Sequence, residues 1–241
     1  AVKLHYGDKY DDLDYNNILV PACAENGFAA FTGDGVDYQV FRSACAVIAA
    51  SGAGIPTVKP WDRDTLMEKL DLGRATGPVA VAMDIDAAGL PFLQGRTPPA
   101  GSKTVAELRE IIDYAGRPFI LKGIMTVRGA EKAAEAGAAA IVVSNHGGRV
   151  LDQCPATAEV LPAIADAVGH DMTVLVDGGI RAGMDIFKAL ALGADGILIG
   201  RPFVTAVYGG GAEGVVVYAE KLRAELADAM SMCGVHSVEE I

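Results

Sequence analysis

The segment Ser144-Asn145-His146-Gly147-Gly148-Arg149 closes an apolar run, Ala139-Ala140-Ile141-Val142-Val143. It sets a base that titrates near neutrality three residues before a permanent cation. Histidine moves protons, and arginine grips a carboxylate through two parallel N–H bonds. One cleft can therefore hold an acid by its carboxylate while taking a proton from it. Asp86 directly follows the apolar run Val79–Ile85. A carboxylate drawn inward there needs a partner, and set against the His146 imidazole it would hold that base in one tautomer. His5, His170 and His236 have no such setting and read as surface residues.

Lys122 ends the run Pro118-Phe119-Ile120-Leu121, so its ammonium leaves a buried strand and points into a cleft. It is suited to be a Schiff-base nucleophile, a general base or a fixed positive charge, and the residues alone leave all three open. Two later strand ends, Val174-Leu175-Val176-Asp177-Gly178-Gly179-Ile180-Arg181 and Ile197-Leu198-Ile199-Gly200-Arg201-Pro202, each carry glycine followed by arginine. Glycine lets backbone N–H groups approach an anion, and a following helix N-terminus and a guanidinium add positive potential. Consecutive corners of this kind predict a phosphate site.

These residues need a scaffold that brings strand ends together. Short β-branched runs alternate with Ala/Leu/Glu/Lys-rich segments throughout, the pattern of repeated βα units around a parallel sheet. Strands are expected at Phe28–Phe31, Gly54–Val58, Val79–Ile85, Pro118–Leu121, Ala139–Val143, Thr173–Val176 and Gly196–Ile199. Thr104 and Glu107 form a capping-box pattern for a helix closed by Gly116. Further helices are expected over Gly129–Ala136, Thr157–Val168, Gly183–Leu192 and Glu213–Met230. Asp34, Lys59, Asp86, Lys122, His146, Asp177 and Arg201 each fall at or just past the end of a different apolar run. One polar residue from each of several strand ends is how a (β/α)8 barrel builds its active face. Seven strands are visible where such a barrel has eight, and residues 1–16 are polar. The expected fold is therefore an α/β (β/α)8 TIM barrel lacking its N-terminal segment and first strand, with 1–241 as a single domain.

Composition narrows the class. With 241 residues, 51% of them hydrophobic, the chain can bury a substantial core. A net charge of −11, spread along the sequence, disfavours nucleic acid and anionic membrane surfaces. Cys23, Cys45, Cys154 and Cys233 show no zinc-type spacing with the histidines, so no metal site of the usual kind is expected. No run approaches the roughly 18 apolar residues of a membrane span, and the cytoplasm is the expected compartment.

Taken together, Leu121-Lys122-Gly123, Ser144–Arg149 with Leu151-Asp152, Asp177–Arg181, Lys188–Ala194 and Ile199–Pro202 resemble, in order and spacing, the FMN-dependent α-hydroxy-acid oxidase and dehydrogenase family. This family includes glycolate oxidase and lactate oxidase. The resemblance is dense from about Pro118 onward. It implies FMN as cofactor, a small 2-hydroxy acid as substrate and a homo-oligomer of four or more chains. It also implies Lys122 at the N1/O2 edge of the flavin, Asp177 on the ribityl chain, and Gly178, Gly179, Arg181, Gly200 and Arg201 on the phosphate. Thr57, Asp84 and Ser144 would make further cofactor contacts. His146 would be the base, Asp86 its orienting carboxylate and Arg149 the carboxylate clamp.

Three departures bear on substrate. Lys59, in Pro56-Thr57-Val58-Lys59-Pro60, stands where the family has a substrate-holding tyrosine, and Thr57 where a glutamine is expected. A second arginine after the fourth barrel strand has no clear counterpart unless Arg96 reaches in. The family's first strand and its substrate tyrosine have no equivalent here. Two other classes are therefore compatible: a flavin-dependent isomerase or reductase similar to type 2 isopentenyl diphosphate isomerase, favoured by Lys59, and a non-catalytic barrel subunit whose open edges need a partner.

Overall fold

The computed structural model describes residues 6–241, so His5 lies outside the described residues. Six strands, β1 Thr57–Val58, β2 Val81–Asp84, β3 Phe119–Ile124, β4 Ala140–Val143, β5 Thr173–Val176 and β6 Gly196–Ile197, form one sheet in sequence order. All neighbouring pairs are parallel. The expected strand at Phe28–Phe31 shrinks to a single parallel bridge between Phe31 and Ile55. Ile55 N–H donates to the Ala30 carbonyl at 2.8 Å and Thr32 N–H to the Ile55 carbonyl at 3.0 Å, so this segment still occupies the position beside β1. Seven of the eight places of a (β/α)8 barrel are thus filled. Among the described residues, β6 pairs with no strand on its far side.

Helices pack outside the sheet: α1 Asp12–Glu25, α2 Tyr38–Ser51, α3 Arg63–Ala75, α4 Val105–Ala115, α5 Val127–Ala136, α6 Thr157–Val168, α7 Gly183–Ala191 and α8 Arg201–Cys233. The Thr104/Glu107 capping box forms, and Gly116 ends α4 in the left-handed conformation. The first three helices start on aspartate caps, Asp11, Asp37 and Asp62, whose carboxylates accept orphan N–H groups of the first turn. These three helices add to those expected from the sequence, although their aspartate caps are visible in it. The expected last helix, Glu213–Met230, lies within α8, which breaks at Gly211 (φ 61°, ψ −140°).

Side chains alternate across each strand, and the alternation sorts them into two layers. Val58, Val81, Met83, Phe119, Leu121, Ile141, Val143, Val174 and Val176 face the helices and join the large outer core. Ile55, Ala80, Ala82, Ile120, Ala140 and Val142, with Phe31, Leu175 and Leu198, fill the inside of the sheet. Two residues beyond the inward-facing Thr57, Ala82, Ile120, Val142 and Leu175 stand Lys59, Asp84, Lys122, Ser144 and Asp177. The top interior layer is therefore polar, and this is the site.

Asp34 departs from the expected strand-end group. Its carboxylate is fully engaged, with Oδ1 accepting from Lys69 Nζ at 2.5 Å and Oδ2 from Trp61 Nε1 at 2.6 Å and Lys59 N–H at 3.0 Å. Both members of the Asp34–Lys69 ion pair are buried, and the ammonium lies 4.7 Å from the Trp61 ring centroid. Asp34 therefore fixes the end of β1 rather than facing the cleft.

Candidate active site

The pairing registers set the inward charges side by side. Val58 pairs with Met83, and Asp84 with Lys122, so Lys59, Asp84 and Lys122 occupy one rung. Their signs alternate around it: Lys59 Nζ lies 3.6 Å from Asp84, Lys122 Nζ lies 3.3 Å from Asp84 on one side, and 3.4 Å from Asp177 on the other. Burial alone would raise the Asp84 pKa, but Lys122 and Lys59, with His146, outweigh it and hold the carboxyl below the usual range. Burial likewise opposes the Lys122 charge, but Asp84, Asp177 and Asp86 together push its pKa above that of an ordinary lysine. Of the three roles open to Lys122, this environment suits a fixed positive charge.

A depressed Asp84 contributes stability above its unfolded value near 3.8, lost as pH falls through the lower folded value. A raised Lys122 contributes below about 10.5, lost only as pH rises through its higher folded value. The network is thus intact across the neutral range. Asp84→Asn is expected to remove part of the acid-side fall in stability, measured as the urea midpoint against pH; an acid limb identical to wild type would contradict this.

His146 sits just past β4 with φ 57°, a left-handed conformation supported by the Ser144 hydroxyl, which accepts the His146 N–H at 3.1 Å. Its Nδ1 lies 3.0 and 3.1 Å from the two Asp86 oxygens. Asp86 itself stands in a 3₁₀ turn, Ile85–Gly89, that takes over where β2 stops. The pair is the one expected from sequence, and among the described residues it leaves Nε2 as the ring nitrogen without a hydrogen-bond partner. Ligand atoms of Asp84, Asp86 and His146 lie within 4.8 Å of one another, a grouping that sequence spacing did not show. Lys122 and Lys59 already balance Asp84 there.

The remaining expected residues lie around this centre. Thr57 is buried, with its hydroxyl 3.5 Å from the Ile55 carbonyl. Arg149 is exposed, its guanidinium 6.0 Å from the Phe92 ring centroid. Arg96 is exposed and bonds the Phe92 carbonyl, so it does not reach in. Arg181 donates to the Gly179 carbonyl within its own loop, and Arg201 donates to the Gly147 carbonyl, tying the end of β6 back to the His146 loop. Both arginines, with Lys221, line a cavity of about 550 Å³.

Whether these residues suit a flavin nucleotide is testable on the structure itself. Asp177 Oδ1 is buried without a hydrogen-bond partner among the described residues, so a hydroxyl donor is called for at that point. Gly178 and Gly179 follow with φ of 94° and 81°, and a side chain at Gly179 or Gly200 would meet open space. An orphan acceptor beside backbone open to a ligand, with two guanidinium groups beyond, fits a polyol phosphate.

Comparison with known proteins agrees with this chemistry. Residues 66–241 match the family model of FMN-dependent dehydrogenases. An L-lactate dehydrogenase of Pectobacterium atrosepticum is 46% identical over 135 residues, covering 56% of this chain and 35% of the relative. A 2-hydroxyacid oxidase of Dictyostelium discoideum is 43% identical over 140 residues, covering 58% and 36%. The structure of a mandelate oxidase variant with an FMN monooxide adduct superposes with a TM-score of 0.76 at 33% identity, covering 95% of this chain and 71% of that one. The chain belongs to the FMN-dependent dehydrogenase family, whose cofactor is FMN. Its matched part spans about a third of the length of these curated relatives. Among the described residues, no helix is long and apolar enough to cross a membrane.

Proposed function

We propose that this chain carries the FMN-binding face of an oxidoreductase that converts small 2-hydroxy acids to 2-oxo acids. The observation that carries the reading is the Asp86–His146 pair standing beside a lysine set between two carboxylates. Names among the relatives, L-lactate dehydrogenase and 2-hydroxyacid oxidase, support the substrate class.

In this reading FMN, when bound, supplies the two-electron acceptor for the substrate's hydride. Asp177 and the glycines and arginines after β5 and β6 would hold its ribityl and phosphate parts, with Thr57, Asp84 and Ser144 lining the interior beside it. Asp86 accepts a hydrogen bond from Nδ1–H of His146 and leaves Nε2 to take the substrate's hydroxyl proton. The carboxylate also stabilises the imidazolium as it forms. Lys122, fixed between two carboxylates, offers positive potential without reorganising, which is where electrostatic stabilisation is most effective. Arg149 lies on the rim three residues after the base and grips the substrate carboxylate by turning inward from Phe92. The reading includes a homo-oligomer in the cytoplasm, supported by the family resemblance and by four unpaired cysteines.

A flavin-dependent isomerase or reductase is the competing reading, favoured by an ammonium at position 59. In the structure that ammonium is 6% exposed and directed at Asp84, so it is poorly placed to meet a phosphorylated substrate.

Titration of the purified protein with FMN, followed by flavin fluorescence, tests the cofactor half. Saturable quenching is expected, and Asp177→Asn should weaken it by about 10- to 100-fold, the value of one hydrogen bond to a charged group, roughly 1.5–3 kcal/mol. Protein that takes up no FMN would overturn the proposal.

A further inference from the structure

Strand β3 does not run straight to its end. Its pairing with β4 shifts between Lys122 and Ile124, and Gly123 within the shift has φ 105°. A Cβ built on that backbone would stand 2.4 Å from Cγ and 2.5 Å from Cβ of Asp86. The carboxylate that faces His146 therefore occupies the space a side chain at position 123 would take. At the other end of the same 3₁₀ turn, a Cβ on Gly89 would lie 2.9 Å from Val150, just past Arg149. The turn bearing Asp86 is wedged between the bulge of β3 and the loop bearing His146.

We propose that Gly123 is a positioning residue: its missing side chain seats the Asp86 carboxylate against Nδ1 of His146. The bulge that contains it begins at Lys122, so one backbone irregularity serves both the fixed cation and the oriented base. Any residue with a Cβ at position 123 must push Asp86 away, because Asp86 meets it with its own Cβ and Cγ rather than with a flexible chain end. Displacing Asp86 releases the imidazole to its other tautomer and removes the partner that stabilises its protonated form. The consequence for turnover rests on the oxidoreductase reading, whereas the seat itself can be examined without flavin or substrate.

The test uses the whole chain labelled with ¹⁵N-histidine above neutral pH, where the ring nitrogen shifts report the tautomer. With four histidines in the sequence, the His146 signals are assigned by their loss in His146→Gln. Wild type is expected to show the Nδ1–H form, and Gly123→Ala a shift toward Nε2–H. A parallel measurement compares the loss of urea midpoint caused by Gly123→Ala in wild type and in Asp86→Gly. The strain of a left-handed alanine is common to both backgrounds, but the collision exists only in the first, so the loss should be clearly larger there. If Gly123→Ala alone fails to fold, folding of the double variant supports the seat and failure of both overturns it. Equal losses in the two backgrounds, or an unchanged Nδ1–H signal in folded Gly123→Ala, would also overturn it. Wild-type protein that oxidises no hydroxy acid would defeat the functional reading and leave these two results to decide the seat on their own.

Discussion

Replacing His146 with alanine is expected to slow reduction of bound FMN by a 2-hydroxy acid by about 10²–10⁴-fold, the usual range for a lost general acid–base group. FMN affinity should barely change, because none of the residues assigned to the ribityl chain or phosphate depends on the imidazole. The separation between the two effects is the informative part. His146 stands past the end of β4 with its ring nitrogen Nδ1 against Asp86, while its bond to the Ser144 hydroxyl is made by the backbone N–H, so the alanine variant loses the proton acceptor and keeps that loop contact. Stopped-flow reduction under anaerobic conditions measures the rate, and equilibrium titration the affinity. Comparable reduction rates in variant and wild type would show that the base lies elsewhere.

The largest stability effect is expected at a position remote from the chemistry. Lys69→Met leaves the Asp34 carboxylate buried without its cation, and breaking a buried pair in this way costs about 3–5 kcal/mol. For a chain of this length that corresponds to a Tm lower by on the order of 10 °C. Asp34 also accepts the Trp61 indole N–H and the Lys59 backbone N–H, so its displacement would loosen the end of β1 where the charged rung begins. Lys69→Met combined with Asp34→Asn should be less damaging than Lys69→Met alone, since the uncompensated charge is gone while an acceptor oxygen remains. Calorimetry on the two variants decides it; a Lys69→Met protein melting with wild type would refute the account of this pair.

The site was legible in the sequence where strand alternation carries it. Asp84, Lys122 and Asp177 follow inward-facing residues by two positions, so a reader who accepts a parallel sheet obtains the polar layer with no further information. His146 and Asp86 were likewise paired on chemical need, as a base and an inward carboxylate. Asp34 was misplaced because its partner, Lys69, is supplied by helix α3, and nothing local to either residue announces a contact across that distance. The strand at Phe28–Phe31 was overread for a related reason: its apolar pattern reports burial, while ladder length depends on neighbours distant in sequence. Helices α1 and α2 went unnoticed although Asp11 and Asp37 cap them, since α1 carries Pro21 internally and its apolar residues form no clean stripe. The bulge at Gly123 was invisible because Leu-Lys-Gly reads as the end of a strand rather than as a kink within one.

In the proposed function, this barrel face oxidises hydroxy acids through the His146–Asp86 pair. The most direct measurement is anaerobic mixing of the FMN-loaded protein with L-lactate, with glycolate and, separately, with NADPH, following the visible absorbance of the flavin. Bleaching by at least one hydroxy acid, greatly slowed in His146→Ala, is the predicted result. A flavin that stays oxidised with the hydroxy acids but is bleached by NADPH would contradict it and favour the reductase or isomerase class.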